Sequence, residues 1–259
     1  MRIHRYGDAA EIRADDVPRP VPGPGEVLVR VEATSFNPSD IGLRRGLLRD
    51  IMPVELPVTL GGEVAGTVVG TGERVVGRAS GAAAEYVAVP ARSLVAAPTT
   101  VPLAHAAVLP IAGVTAWQAV FEHAKIAAGQ RVLVNGAGGA VGRIAVQLAA
   151  HAGAHVTATA RPGSVDAVLH LAPIGVGDAA SLLRPGGVLV SITDRVPPPG
   201  VHFVTRDDAG DLAVLVALVD AGVVHLDVRT RPLADLALVH REAEAGLLGG
   251  KTVLVIHGR

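Results

Sequence analysis

Between Arg131 and Gly153 the chain reads RVLVNGAGGAVGRIAVQLAAHAG, and the glycines of this stretch are the residues best spaced for chemistry. Arg131–Val134 is a short β-branched run ending in Asn135. Gly136, Gly138, Gly139 and Gly142 follow, and then Ile144, Val146, Leu148 and Ala149 recur at helical spacing. A strand feeding a glycine turn that opens a helix is a cradle for phosphate. Glycine permits the tight turn and lets a pyrophosphate approach the backbone, and the start of the helix supplies unpaired N–H groups and the positive end of its dipole. Asn135 and Gly136 lead into this turn, and the N–H groups of Gly138, Gly139, Ala140 and Val141 are the candidate donors. The spacing is G-x-x-G-x-x-G rather than G-x-G-x-x-G, and the same residues also suit a tight turn that binds nothing.

The rest of the composition narrows the field. The formal charge is −1, which leaves no electrostatic footprint for nucleic acid or an anionic membrane. Cysteine is absent, so disulfides, thiolate metal sites and a cysteine nucleophile are excluded. The ten histidines form no ligand-spaced pair, and His170 and His240 read, like the others, as surface or partly buried residues. Lysine occurs only at 125 and 251 while arginine carries the positive charge, a hint of a GC-rich bacterial gene. With no basic-then-apolar leader and no apolar run long enough to span a bilayer, the expected location is cytoplasmic.

The elements around the cradle follow two patterns. Up to about residue 100 the chain reads as β-rich. Glu26–Phe36 alternates apolar and polar residues. Val64–Val69 and Arg74–Gly77 flank the turn Gly70-Thr71-Gly72, and Gly81–Val89 and Ser93–Ala97 complete the set. Ser39 or Asp40 is placed to cap a short helix after Asn37-Pro38. Beyond Pro98 strands alternate with helices, which calls for a parallel sheet. Helices are expected at Leu103–Leu109, Ile111–His123, Ala179–Arg184, Asp211–Ala221 and Leu233–Leu247, and strands at His155–Ala160, Ala167–Leu171, Gly187–Ile192 and Thr252–His257. Val201–Thr205 reads as an edge strand.

With these pieces in order, the chain resembles the medium-chain dehydrogenase/reductase superfamily, and within it the zinc-independent, zeta-crystallin-like quinone oxidoreductases. The likeness runs through GPGEVLVRVEATSFNPSDIGLRRG, LPVTLGGEVAGTVVGTGERVVG, GAAAEYVAVPA, the long segment from Leu109 to Ala160, LRPGGVLVSI and PLADLALVHREAEAGLLGGKTVLVI. The resemblance implies an α/β fold of two domains. A GroES-like β-rich catalytic domain would comprise 1–109 and 230–259, and a shortened Rossmann domain would comprise 110–229. It also implies NADPH as cofactor, a small apolar carbonyl compound (an enone or quinone) as substrate, and a homodimer, for which Val201–Thr205 offers an edge to pair. Zinc-dependent relatives carry G-H-E where this chain has Gly61-Gly62-Glu63, so no metal is expected.

The resemblance also assigns residues. Asn37, Asp40 and Thr115 match family positions near the nicotinamide. Lys251 lies in the tail segment that approaches the cofactor, and Ala172 and Ser191 match strand ends whose backbone lines it. The stretch Thr157–Arg161 has no carboxylate for a ribose 2′-hydroxyl, and Arg161 suits a 2′-phosphate, since a guanidinium matches phosphate geometry.

Two departures stand out. The family's active-site tyrosines fall on Gly42 and Ala83, which leaves no obvious side-chain proton donor. Together with Gly62, these small residues predict an open, apolar cleft. Also, only Arg161-Pro162-Gly163-Ser164 separates the strand ending near Ala160 from the one starting at Val165, too little for a standard parallel crossover. Either the first strand is shortened or displaced, or the next one is antiparallel, or a segment is missing. The usual wall of the adenine pocket is lost in each case. This suits, as alternatives to a reductase, a non-redox ligand-binding or cyclisation-type enzyme or a vestigial binding protein.

Overall fold

The structure, a computed structural model, describes residues 1–173, 179–198 and 200–256. In chain order the elements are β1 (Arg2–Ile3), β2 (Glu26–Ser35), α1 (Pro38–Arg44), β3 (Val58–Thr59), β4 (Glu63–Val68), β5 (Arg74–Arg78), β6 (Tyr86–Pro90) and β7 (Leu94–Ala96). A helical run of mixed pitch, α2 (Leu103–His123), precedes β8 (Arg131–Asn135), α3 (Ala140–His151), β9 (His155–Thr157), β10 (Val165–His170), α4 (Ala179–Leu182) and β11 (Leu183–Ser191). β12 (Val201–His202), α5 (Ala209–Asp220), β13 (Val228–Pro232), α6 (Leu236–Glu244) and β14 (Lys251–Val255) complete the chain. It divides into two units, one formed by Met1–Ile111 and Leu226–Arg259, the other by Ala112–His225.

The first unit is built on a sheet in the order β13-β14-β2-β4-β5-β7, with β6 also paired to β2. The alternation of EVLVRVEATS buries Val29, Val31 and Ala33. Val29 and Val31 pack with Val64, Val68, Val75, Val87 and Val89. Towards its end β2 is enclosed on both faces, and the polar Thr34 and Ser35 are buried there too. A second core joins the ends of the chain: Ile3, Ile12, Phe36 and Leu60 meet Leu236, Val239 and Leu254. Beside it Arg44 is fully buried. Its Nη2 donates to Glu244 Oε1 at 2.6 Å, Nη1 to the Gly7 carbonyl at 2.7 Å and Nε to His240 Nδ1 at 3.3 Å, which ties α1 to α6.

The second unit is a five-stranded sheet, β12-β11-β10-β8-β9, whose pairings are all parallel. β9 and β10 lie on opposite flanks of β8, so the strand order reverses there, the place where open parallel sheets bind ligands. The short link between β9 and β10 has a simple solution. β9 is cut to three residues and pairs low on β8, His155 with Arg131 and Thr157 with Leu133. β10 also starts low, with Ala167 opposite Val132. Residues 158–164 therefore descend about 10 Å and step sideways about 10 Å, well within a reach of about 3.3 Å per residue. Ala160 packs against Leu133, Val165, Val168 and Leu189 as the link crosses that face. The antiparallel alternative is thereby overturned, and the strand expected to reach Ala160 stops at Thr157.

Other boundaries shift for local reasons. The helix expected to Arg184 ends at Leu182, because β11 starts at Leu183 and absorbs Pro185-Gly186-Gly187 in an irregularity of its pairing with β10 between Val165 and Ala167. The strand expected from Gly81 starts at Tyr86. Gly81 and Ala82 instead return N–H bonds to the Gly61 carbonyl. The helix expected over Leu233–Leu247 is α6, preceded by one 3₁₀ turn. The last strand ends at Val255, and His257 lies outside the described residues.

Candidate functional site

Each unit carries a polar cluster among the positions flagged in the sequence. In the second, β8 delivers Asn135 to the turn. Gly136 has φ +88°, and a Cβ on it would stand 2.7 Å from Ala172 Cβ. A Cβ on Gly142 would stand 2.1 Å from the Gly136 carbonyl oxygen, so the first turn of α3 closes on the loop only with glycine there. Gly139 N–H donates to that same oxygen at 2.9 Å. A Cβ on Gly138, by contrast, meets nothing within 4 Å. The N–H groups of Ala140 and Val141 have no acceptor among the described residues. Open space over a helix start with unspent donors fits a pyrophosphate.

Apart from Thr115, on α2, the remaining positions flagged in this unit fall at the C-terminal ends of its strands or beyond them. His170 pairs with Asn135 on β8 and Ser191 on β11, so the three end their strands side by side. Arg161 is exposed on the link after β9. Its backbone N–H donates to Ser164 Oγ at 3.1 Å, and its guanidinium has no partner among the described residues. Thr115 is buried, and its hydroxyl meets that of Thr205 at 2.6 Å.

In the first unit Asn37, Asp40 and Lys251 come together around a residue not flagged in the sequence, Glu63. β4 opens at Glu63 with its side chain fully buried. Oε1 accepts from Ser35 Oγ, from Asn37 Nδ2 at 2.8 Å and from Lys251 Nζ at 3.4 Å, while Oε2 accepts from Ile111 N–H at 2.8 Å. Lys251 Nζ also donates to Asn37 Oδ1 at 2.7 Å and to the Phe36 carbonyl at 2.9 Å. The Asn37 side chain is thus fixed at both ends, by an ammonium on its oxygen and a carboxylate on its nitrogen. A glutamate inside an otherwise apolar GGEVAG run was the signal for Glu63, since a buried carboxylate needs a buried cation.

Asp40 sits at the edge of this cluster. It is not the cap expected of it, nor is Ser39. Asn37 is the cap residue, and Asp40, in the first turn, accepts from Asn37 N–H through Oδ2 at 2.8 Å. Burial pushes the Asp40 carboxyl up to about 7 and the Glu63 charge adds to the rise, against the Asn37 N–H and the charges of Lys251 and Arg78.

The open cleft expected from small residues is not found in this unit. The position above Gly42 is taken by Leu48, whose Cγ would lie 3.1 Å from a Cβ there, and that above Gly62 by Ile111 Cδ1 at 3.2 Å. Ala83 is fully buried in the core with Ile3 and Leu60. The histidines differ from expectation too. His240 is fully enclosed and His170 nearly so. Among the described residues no three His, Asp or Glu side chains gather as a metal site.

Residues 23–99 match the alcohol dehydrogenase GroES-like domain. The chain is 36% identical over 211 residues to a chloroplast envelope quinone oxidoreductase homolog of Arabidopsis thaliana, a match covering 72% of this chain and 64% of the relative. It therefore spans under two thirds of the length of that protein. Its fold is similar to the quinone oxidoreductase of Coxiella burnetii, with a TM-score of 0.84 at 24% identity over 99% of this chain and 98% of that one. A mycobacterial protein solved in complex with NADPH gives a TM-score of 0.81 at 27% identity over 98% of both chains. The GroES-like match, the glycine turn on a parallel sheet and these likenesses lead to one conclusion: the chain has the fold of the medium-chain dehydrogenases/reductases, a GroES-like domain with a Rossmann-like domain, and is similar in sequence to their quinone oxidoreductases.

Proposed function

We propose that the chain is an NADPH-dependent, zinc-independent reductase of an enone or a quinone. The observation that carries this reading is the turn over α3, where unspent N–H groups at Ala140 and Val141 face the open position of Gly138. The support from relatives is that the Arabidopsis protein is named for quinone oxidoreduction and the mycobacterial one was solved with NADPH. When bound, the cofactor supplies the hydride. The protein's part is to bind and orient. The turn from Gly136 to Val141 holds the pyrophosphate, the free Arg161 guanidinium takes the 2′-phosphate, and Ala172 backs the turn. Thr115 and Ser191 line the cofactor in this reading.

Reduction of an activated double bond builds an enolate and requires a proton. Asn37, whose amide nitrogen already donates to Glu63 and to the Ser35 carbonyl, is an immobilised part of the site's wall and not itself a donor to the developing oxyanion. Asp40 holds a proton on its carboxyl through much of the neutral range, which makes it the chain's own proton source where the family's tyrosines are replaced by Gly42 and Ala83. The substrate is a small apolar carbonyl compound. β12 ends its sheet with an open edge, and the enzyme pairs there as a homodimer in the cytoplasm.

The test is a calorimetric titration with NADPH and then NADH, alongside Arg161→Ala. NADPH is expected to bind more tightly than NADH, with the difference removed in the variant. If neither nucleotide gives heat or protects against thermal unfolding, the redox reading falls, and an apolar ligand for a non-redox step becomes the alternative to pursue.

A further inference from the structure

His170 is a buried titratable group that the reading above leaves without a role. It closes β10 and is 6% exposed. Its Nδ1 lies 2.7 Å from Asn135 Nδ2, and its Nε2 lies 2.9 Å from Asp194 Oδ2. Asp194 is held in place by its own N–H donating to Ser191 Oγ at 3.0 Å and by Thr193 Oγ1 donating to its Oδ2 at 3.1 Å. Asn135, His170, Asp194 and Ser191 thus form one polar row along the C-terminal edge of β8, β10 and β11. The row lies against the phosphate turn, because Gly136 packs on Ala172, two residues past His170.

The donor and acceptor roles in this row are constrained. An amide nitrogen only donates, so Nδ1 accepts from Asn135, and the ring proton sits on Nε2 and goes to the Asp194 carboxylate. A second proton, taken from solvent onto Nδ1, would face the amide hydrogens. The Asn135 amide then has to turn and offer Oδ1, which leaves an imidazolium between a carboxylate and an amide oxygen. That change places a positive charge at the strand ends beside the turn and redirects the Asn135 N–H groups. Among the described residues, Asp194 bonds the ring and His202 (on β12, paired with Ser191) lies on the same edge, while Arg143 on α3 donates through Nε to the Gly138 carbonyl at 2.9 Å in the turn. Asp194, kept ionised chiefly by its bond to His170, stabilises the imidazolium.

We propose that His170 is a positioning residue for the dinucleotide, taking up one proton as a phosphate-bearing ligand enters the turn and re-aiming the Asn135 amide as it does so. This rests on the dinucleotide-binding reading above. By linkage, affinity then rises as pH falls.

NADH is the probe, because it lacks the 2′-phosphate that itself titrates near neutrality. Calorimetry in two buffers of different ionisation heat reads the protons exchanged. The wild-type protein is expected to take up a fraction of a proton and to bind about fivefold tighter near pH 6 than near pH 8. His170→Gln should abolish both effects. Asp194→Asn, at an exposed carboxylate, removes the group that stabilises the imidazolium and should weaken the uptake. It decides the matter if His170→Gln does not fold. Binding with no proton uptake, or uptake unchanged in both variants, overturns the inference alone. If NADH does not bind the wild type, the same two-buffer measurement is made with NADPH, and failure of both nucleotides to bind overturns the dinucleotide reading and this inference with it.

Discussion

Lys251 is the one enclosed member of the chain's two lysines, and it neutralises a glutamate that has no water to turn to. Removing one member of a buried ion pair leaves the other charged and unpaired, at a cost of about 3–5 kcal/mol. Lys251→Met is therefore expected to lower the unfolding free energy read from urea denaturation by that amount, and a double variant Lys251→Met/Glu63→Leu to recover much of it. Two other residues make stability depend on pH in opposite senses. His240 is held at about 4 rather than 6.5, by burial and then by Arg44. The unfolded chain takes that proton first, so the contribution is complete above about pH 6.5 and is lost as pH falls towards 4, a span worth about 3 kcal/mol. Chemical denaturation at pH 7 and pH 4.5 should show a smaller acid loss in His240→Gln than in the wild type. Asp40 works the other way. Its carboxyl is raised, so its contribution is complete below its ordinary value near 3.8 and is lost as pH rises through about 7. Asp40→Asn should stabilise the protein more at pH 8 than at pH 5 while lowering the turnover of an enone and leaving NADPH affinity unchanged. That pattern would mark a residue kept for chemistry at the expense of the fold.

The glycine turn separates two jobs that one motif combines. Gly142→Ala drives a methyl into the Gly136 carbonyl and should cost about 1–3 kcal/mol of stability. Gly138→Ala meets nothing in the protein, so its unfolding midpoint should stay put while dinucleotide affinity drops about tenfold, or ~1.4 kcal/mol, because the methyl occupies phosphate space. Both effects are read by pairing thermal unfolding with titration. The strand, turn and helix of this element were legible in the sequence because period, glycine and β-branching all agree over Arg131–His151. Alternation likewise placed β2. What was not legible depends on partners far along the chain. β9 ends at Thr157 because its neighbour β8 and the short link set its length, and nothing in the local pattern AHVTATA does so. β1 and β13 are short and lie at sheet edges, where two to five residues leave little periodicity to read. Asn37, Asp40 and Lys251 were recognised by resemblance. Glu63, which binds two of them, was not, since a lone acid in an apolar run looks like a surface residue until its counter-ion is placed.

At the scale of the molecule, the first unit is made of both ends of the chain with the second unit inserted between them. Its antiparallel strands bring residues of distant sequence together, and such pairings form slowly. The most distant of these contacts are also the most costly to leave unmade. Lys251 reaches Asn37 across 214 positions and Glu63 across 188, and Arg44 reaches Glu244 across 200. On the ribosome, the β-rich first hundred residues emerge long before β14 does. Until the final strand arrives, Glu63 and Arg44 are charges whose partners have not been synthesised. The second unit is one continuous stretch, Ala112–His225, so all of its contacts are available before β14 is made. The expected order of assembly is therefore inner unit first, and the buried lysine becomes the timer: a nascent chain halted before residue 251 should be readily cleaved by protease in its first hundred residues while Ala112–His225 already resists.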